Sequence, residues 1–474
     1  MPDALLAWDR FTSLAAFPPL LAEAAESTAE ADAGETGTII FAGVLLSLVT
    51  IYFAAKLGGE LCARINLPPV LGELVGGVVV GVSALQLIVF PEAGETVSSL
   101  IVDFLQLTAG LSPELSGSVF ASQSEVISIL AELGVVILLF EIGLESDLKE
   151  LIRVGPQAAA VAVVGVVLPF AIGTAGLIAL FNMATIPAVF AGAALTATSI
   201  GITAKVLAEL QQLSSKEGQI IIGAAVLDDV LGIIVLAVVA SLAKTGEIEI
   251  LNVVYLIAGA AIFLVGAILL GRLLSPAFVG LVNQMKTRGE LIIASLIFAF
   301  VLSYIAAVIQ LEAILGAFAA GLILAETTKH KEIEEQITPI ADMLVPIFFV
   351  TVGARTDLSV LNPLVPENRE GLVIASFLVI IAIIGKVVAG FAVFGKPGIN
   401  RLAIGVGMVP RGEVGLVFAG VGSASGVLSE SLDAAIIVMV IMTTFLAPPL
   451  LRIVFKEPSD TDTATEESPS LSEG

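Results

Sequence analysis

Two adjacent carboxylates stand inside an apolar stretch and are the residues best placed to do chemistry. Asp228 and Asp229 follow eight apolar or small residues, Ile220–Leu227, so they lie in mid-segment rather than at the N-cap of a helix. Neighbouring helical residues lie about 100° apart around the axis, so one carboxylate can face a water-filled cavity while the other faces a packed partner. A carboxylate of this kind holds a proton or a hard cation, but not easily both.

Further charged residues occur where a bilayer should exclude them. Lys386 is flanked by the apolar stretches Ile380–Gly385 and Val387–Gly390, and an ionisable group at such depth is costly unless paired. It therefore pairs with a carboxylate or loses its proton, and both options suit proton coupling. The alternative is a static salt bridge. Arg411 and Glu413 are expected to neutralise exposed helix ends.

Two apolar segments contain helix-breaking residues at mid-length. Residues 194–203 read ALTATSIGIT, and residues 405–415 read GVGMVPRGEVG. Hydroxyls, glycines and a proline permit local unwinding, after which carbonyls and half-helix ends can bind a cation. The hydroxyl candidates for a supporting cation site are Thr196, Thr198 and Ser199. Their alternative role is hydrogen bonding back to the preceding turn.

The composition requires a membrane protein. Of 474 residues, 57% are hydrophobic and only 14% are charged, with a mean hydropathy of +1.05. One Cys and one His exclude a disulfide scaffold and a thiolate zinc site, and we expect no enzyme and no cofactor. The net charge of −23 argues against nucleic-acid binding. Such acidity suits high salt, as in a halophile, or merely reflects acidic tails.

Uncharged apolar runs, together with apolar runs interrupted by a few charges, predict thirteen membrane spans, with an interfacial helix near 97–111. The spans are 38–60, 69–90, 123–145, 154–181, 185–210, 219–243, 250–274, 289–310, 311–326, 337–355, 371–395, 399–423 and 431–455. With the N-terminus outside, fifteen of the 21 Lys and Arg residues fall in inside loops and four in outside loops. This bias predicts a multi-pass protein of the cell membrane with a cytoplasmic C-terminus.

The predicted organisation is one transmembrane domain, 38–455, between an acidic segment, 1–37, and a disordered acidic tail, 456–474. The two interrupted spans are the middle members of two triplets, about 154–243 and 371–455. Paired interruptions in two such triplets are typical of an inverted repeat with a transport site at the crossing. The other spans would form a scaffold.

Several stretches together resemble the monovalent cation/proton antiporters, and more closely the second cation:proton antiporter family of the Kef and NapA type. The resemblance is carried by the double-aspartate run 224–236 (AAVLDDVLGIIVL), with 195–203, 138–145 (LLFEIGLE), 348–353 (FFVTVG) and 410–416 (PRGEVGL). It covers roughly residues 38–455.

The resemblance implies an all-α homodimer with two crossed broken helices and an elevator-like movement. It implies that Asp229 is the main sodium ligand, with Asp228 and Thr198 nearby, and that Asp228 pairs with Lys386. Members with two aspartates and this lysine are generally electrogenic sodium exchangers. The chain is expected to lack the nucleotide-binding regulatory domain of Kef proteins. Glu141 departs from the usual apolar pattern.

Three other assignments compete with sodium/proton exchange. Potassium/proton exchange is the alternative within transport, because an oxygen-lined site suits sodium, lithium or potassium. An intramembrane aspartyl protease needs two carboxylates on different helices, and a passive channel needs no titrating Asp/Lys pair. Glu73 and Glu141 are candidates to line the cavity, or else to pair with other polar groups.

Overall fold

The computed structural model describes most of the chain. It describes residues 19–90, 99–109, 113–245, 250–285, 287, 289–395 and 398–455. Within these ranges, the side chains of 19–35, 106–109, 113–115, 244, 245, 270, 272, 274, 275, 281, 367 and 413 are not described. The acidic tail and residues 1–18 of the acidic N-terminal segment therefore lie outside the described residues, and so does the Glu413 side chain.

The described residues form sixteen α-helices, one short 3-10 helix at Leu358–Leu361, and no strands. The helices are α1 (Pro19–Arg64), α2 (Pro69–Val80), α3 (Leu100–Ala109), α4 (Pro113–Glu145), α5 (Leu148–Phe181), α6 (Thr185–Ala194), α7 (Ile200–Glu209), α8 (Lys216–Thr245), α9 (Ile250–Gln284), α10 (Glu290–Val308), α11 (Ala313–Ala325), α12 (His330–Ala354), α13 (Pro366–Gly390), α14 (Arg401–Gly407), α15 (Glu413–Ala424) and α16 (Glu430–Phe455).

The all-helical membrane fold predicted from sequence is confirmed. Among the described residues, nine helices are long and apolar enough to cross a bilayer, and four shorter apolar helices accompany them. Both predicted interruptions are present: one separates α6 from α7, and the other separates α14 from α15. The short helix α3 falls within the predicted interfacial stretch. The total of thirteen spans stays a prediction.

The two interrupted helices belong to two helix triplets that pack together. In the first triplet α5 packs on α8 and on α6, and in the second α13 packs on α16 and on α14. The triplets meet where α5 contacts α13, and a Cβ at Gly385 of α13 would lie 2.7 Å from Pro169 of α5. We call α5–α8 and α13–α16 the core group.

The remaining helices, α1–α4 and α9–α12, are called the scaffold group. Its centre is α4, which packs between α11 and α12. A Cβ at Gly143 would overlap the carbonyl of Phe318 in α11, and a Cβ at Gly134 would lie 2.5 Å from the Leu344 carbonyl in α12. Glycine is therefore required where these helix backbones approach one another.

Candidate functional site

The two interrupted helices cross at their unwound segments and satisfy each other's backbone groups. The Ser199 amide donates to the Pro410 carbonyl at 2.8 Å, and the Thr198 hydroxyl donates to the Met408 carbonyl at 3.0 Å. A Cβ at Gly412 would come within 2.7 Å of the Ser199 Oγ, so glycine permits the close approach. These bonds supply partners that an unwound backbone needs where water is scarce.

Arg411, in the unwound segment between α14 and α15, binds the unwound segment that follows α6. Its side chain is fully buried. Its guanidinium donates to the Leu195 carbonyl at 2.5 Å and to the Ala197 carbonyl at 2.6 Å, at the C-terminal end of α6. The Arg411 carbonyl in turn accepts from the Thr444 hydroxyl of α16. The guanidinium thus offsets the partial negative charge of a half-helix C-terminus.

Asp228 and Lys386 form a buried ion pair between α8 and α13. The Lys386 Nζ lies 2.9 Å from the Asp228 Oδ2, and both side chains are fully shielded from solvent. Gly165 of α5 leaves room for the lysine, because a Cβ there would lie 3.4 Å from Nζ. Asp228 Oδ1 makes no hydrogen bond within the described part of the chain. The pair therefore links α8 of the first triplet to α13 of the second.

Asp229 is buried beside this pair, with 3% of its surface exposed. Gly232 lies three residues later and hence on the same side of α8, and a Cβ there would lie 3.7 Å from the side chain of Ala197 in the first unwound segment. Asp229 therefore faces the crossing, whereas Asp228 faces α13. The Lys386 ammonium also interacts electrostatically with both Asp229 and Arg411. Two carboxylates and two cations are thus concentrated at one depth.

The three predicted hydroxyl residues have different environments. The Thr196 hydroxyl donates back to the Ala193 carbonyl at 2.7 Å, which is the alternative weighed from the sequence. The Thr198 hydroxyl is committed to the opposing segment. The Ser199 Oγ is buried without a hydrogen-bond partner in the described structure, so it is the hydroxyl oxygen most available to a cation.

Comparison with known proteins agrees with this geometry. Residues 45–457 match the family described as "Sodium/hydrogen exchanger, transmembrane". The chain is 69% identical over 439 residues to the high-affinity Na(+)/H(+) antiporter NhaS3 of Synechocystis sp., covering 92% of this chain and 94% of that one. This chain belongs to the sodium/hydrogen exchanger family.

Other relatives within the antiporters are more distant. The Na(+)/H(+)-K(+) antiporter GerN of Bacillus cereus is 32% identical over 413 residues, covering 86% of this chain and 95% of GerN. Among solved structures, the sodium proton antiporter MjNhaP1 of Methanocaldococcus jannaschii aligns with a TM-score of 0.58 at 15% identity, covering 86% of this chain and 98% of that one. That likeness shows a shared fold. The resemblance noted from sequence is confirmed.

Glu73 and Glu141 lie away from the buried ion pair of this exchanger. Both interact electrostatically with Lys205 of α7, and the Glu141 carboxylate also accepts a hydrogen bond from the Thr338 side chain of α12. The Glu73 Oε2 is a buried atom with no hydrogen-bond partner in the described chain. The two residues thus belong to a second polar region, on the Glu209 side of the crossing.

Sequence reasoning missed several residues that build the crossing and this second region. The Thr203 hydroxyl donates to the Gly407 carbonyl at 2.9 Å. Glu209 of α7 accepts from the Val70 amide at 3.2 and 3.4 Å. The available signal was the spacing of Lys205 and Glu209 at i,i+4 directly after the interrupted stretch.

Proposed function

We propose that this exchanger moves sodium, or lithium, against protons by alternating access, with Asp229 as the ligand that both ions share. The single observation that carries the proposal is the buried charge arrangement at the crossing. Lys386 neutralises Asp228, and Arg411 offsets the carbonyls of α6. Asp229 is a carboxylate buried beside these groups, and a sodium ion and a proton would compete for it.

The buried pair gives a route to electrogenic exchange. When sodium enters, Asp228 turns toward it, and Lys386 loses the partner that keeps its ammonium charged. The lysine and Asp229 then each release one proton for one bound sodium, so one net charge moves per cycle. Ser199 and Thr198 supply neutral oxygens, which suit a hard monovalent cation. The relatives named as Na(+)/H(+) antiporters support this direction of chemistry, and we infer a transporter rather than an enzyme.

Alternating access requires two bodies that move past each other, and the glycine contacts support such a division. In the described chain, each glycine whose added Cβ would come under 3.0 Å of another helix contacts a helix of its own group. Between the groups, a Cβ at Gly201 would lie 3.3 Å from Val135 and 3.6 Å from Phe348, both through side chains. We propose that the core group moves against the scaffold group.

We further propose a homodimer with the N-terminus outside and the C-terminus cytoplasmic. The orientation rests on the distribution of Lys and Arg described above, and location in the cell membrane stays a prediction. The dimer is supported by a row of exposed large apolar residues that recur at every fourth position along α1 and at the residue just past its end. They are Phe41, Leu45, Val49, Phe53, Leu57, Leu61 and Ile65.

Transport by purified protein in liposomes with an imposed pH gradient tests this function. Sodium and lithium should dissipate the gradient in wild type, and Asp229→Asn should abolish dissipation while the protein still folds. Asp103→Asn, an exposed residue of α3, is the matched control and should behave as wild type. Dissipation by potassium alone would instead assign potassium/proton exchange, and no dissipation by any of these cations would refute the proposal.

A further inference from the structure

A large cavity opens at the far end of α7, not at the crossing itself. Its volume is about 1010 Å³. Ala208 and Leu213 line it from the core group, and Glu145, Glu326 and Glu334 line it from the scaffold group. The cavity therefore lies on the boundary between the two groups, where an ion would enter if the core moves against the scaffold.

Lys205 lies between this cavity and the crossing. It is six residues beyond Ser199 on α7, which corresponds to about 9 Å along the helix axis. Its side chain is half-buried. It interacts electrostatically with four carboxylates, of which three belong to the scaffold group. They are Glu73 of α2, Glu141 and Glu145 of α4, and Glu209 of α7.

The ammonium of Lys205 is shared among these carboxylates rather than committed to one. Within the described chain, no ion pair shorter than 4.0 Å includes Lys205. Glu209 is instead held by the Val70 amide at the N-terminus of α2. Carboxylates outnumber cations in this region. Asp342 is a fifth carboxylate, which interacts with Glu73 and Glu141, whereas Lys56 is the one further lysine that interacts with Glu73 in the described chain.

We propose that Lys205 is a positioning residue for the transported cation. It is a tethered positive charge about one turn of α7 inward from Ala208 in the cavity lining, so it raises the free energy of a cation that passes from the cavity toward the crossing and sets the apparent sodium affinity on that membrane face. It does not touch the ion at Asp229. The proposal rests on the proposed function, because it takes this cavity to be one entrance of the exchange pathway.

The test is the apparent sodium KM measured separately from each membrane face in oriented proteoliposomes. The membrane face onto which the cavity at the end of α7 opens is called the α7 face. For a cation in this entrance about 9 Å from the Lys205 charge, an effective dielectric constant of about 40 predicts a fall in KM of about fivefold for Lys205→Gln on the α7 face. The KM on the opposite face should not change. The effect should shrink as ionic strength rises. Lys205→Arg should restore the wild-type KM.

Two further variants make the result decisive. Arg153→Gln removes a positive charge that is exposed and paired with Glu150 on the same helix, and it should leave both KM values unchanged. Glu141→Gln changes the entrance charge in the opposite sense and should raise KM on the α7 face. Equal shifts on both faces, a shift that salt does not alter, or no shift in either entrance variant would overturn the proposal. Absence of exchange by wild type would refute the proposed function instead.

Discussion

Replacing Lys386 with glutamine separates an ion-coupling lysine from a structural one. The substitution leaves the Asp228 carboxylate in a fully buried position without the ammonium that lies 2.9 Å away. Losing one partner of a buried ion pair costs about 3–5 kcal/mol. We therefore expect reduced thermal stability but a folded protein.

The transport consequence follows from counting protons. Wild type releases one proton from Asp229 and one from Lys386 for each sodium, whereas Lys386→Gln has no lysine proton to release. Exchange should fall from one net charge per cycle to none. A membrane potential of about 100 mV contributes about 2.3 kcal/mol for each transported charge. In wild type this changes the steady-state ratio of sodium concentrations across the membrane about 50-fold. The variant's sodium ratio should not respond to the potential.

Solid-supported-membrane currents after a sodium jump measure the transported charge, and a pH-sensitive dye in the same liposomes measures exchange. Lys386→Gln should keep dye-detected exchange while its transient current disappears. Lys386→Arg keeps a positive charge beside Asp228 but holds its proton, so it should also lose the current while its thermal stability stays closer to wild type. If the variant keeps the wild-type charge per sodium and loses only thermal stability, Lys386 is a structural partner. A wild type that exchanges without any transient current would refute the electrogenic mechanism.

Three other predictions follow from the crossing. Apparent sodium affinity should improve as pH rises and Asp229 loses its proton, and then level off; an affinity independent of pH, measured by initial rates, would indicate separate sites. Arg411→Gln should lower the free energy of unfolding by about 3 kcal/mol, since two charge-assisted hydrogen bonds are lost. Thermal unfolding measures the change, with Arg153→Gln as the control. Equal stabilities of the two variants would contradict this prediction. Gly405→Val should abolish folding, since even a Cβ would overlap Val387 of α13. Gly420→Ala is the control and should fold normally, because its Cβ meets nothing within 4 Å. A folded Gly405→Val would contradict the prediction, because it would show that α14 can separate from α13.

The spans and the two interruptions were predictable because a bilayer penalises charge and unpaired backbone. Uncharged runs place most helix ends within a few residues of those in the structure. They miss the polar ends of α4 and α12, which begin at Pro113 and His330. Those turns are polar and extend beyond the apolar stretch, so a search for uncharged runs leaves them out.

The details of the crossing depend on contacts between distant segments and could not be derived from spacing. The motif indicates that hydroxyls and glycines permit unwinding, but not that Thr203 donates to the Gly407 carbonyl or that Gly165 leaves space beside Lys386. Glu73 and Glu141 were separate candidates in the sequence. Only the packing of α2, α4 and α7 brings them around Lys205.

The central claim is that sodium and protons share Asp229, and proton release on sodium binding tests it most directly. Purified exchanger in weakly buffered solution is titrated with sodium while the pH is recorded. Wild type should release protons in proportion to bound sodium, with two per sodium where Lys386 also discharges, and Asp229→Asn should neither bind sodium at the site nor release protons. Sodium binding without proton release in wild type, or unchanged release in Asp229→Asn, would contradict the mechanism.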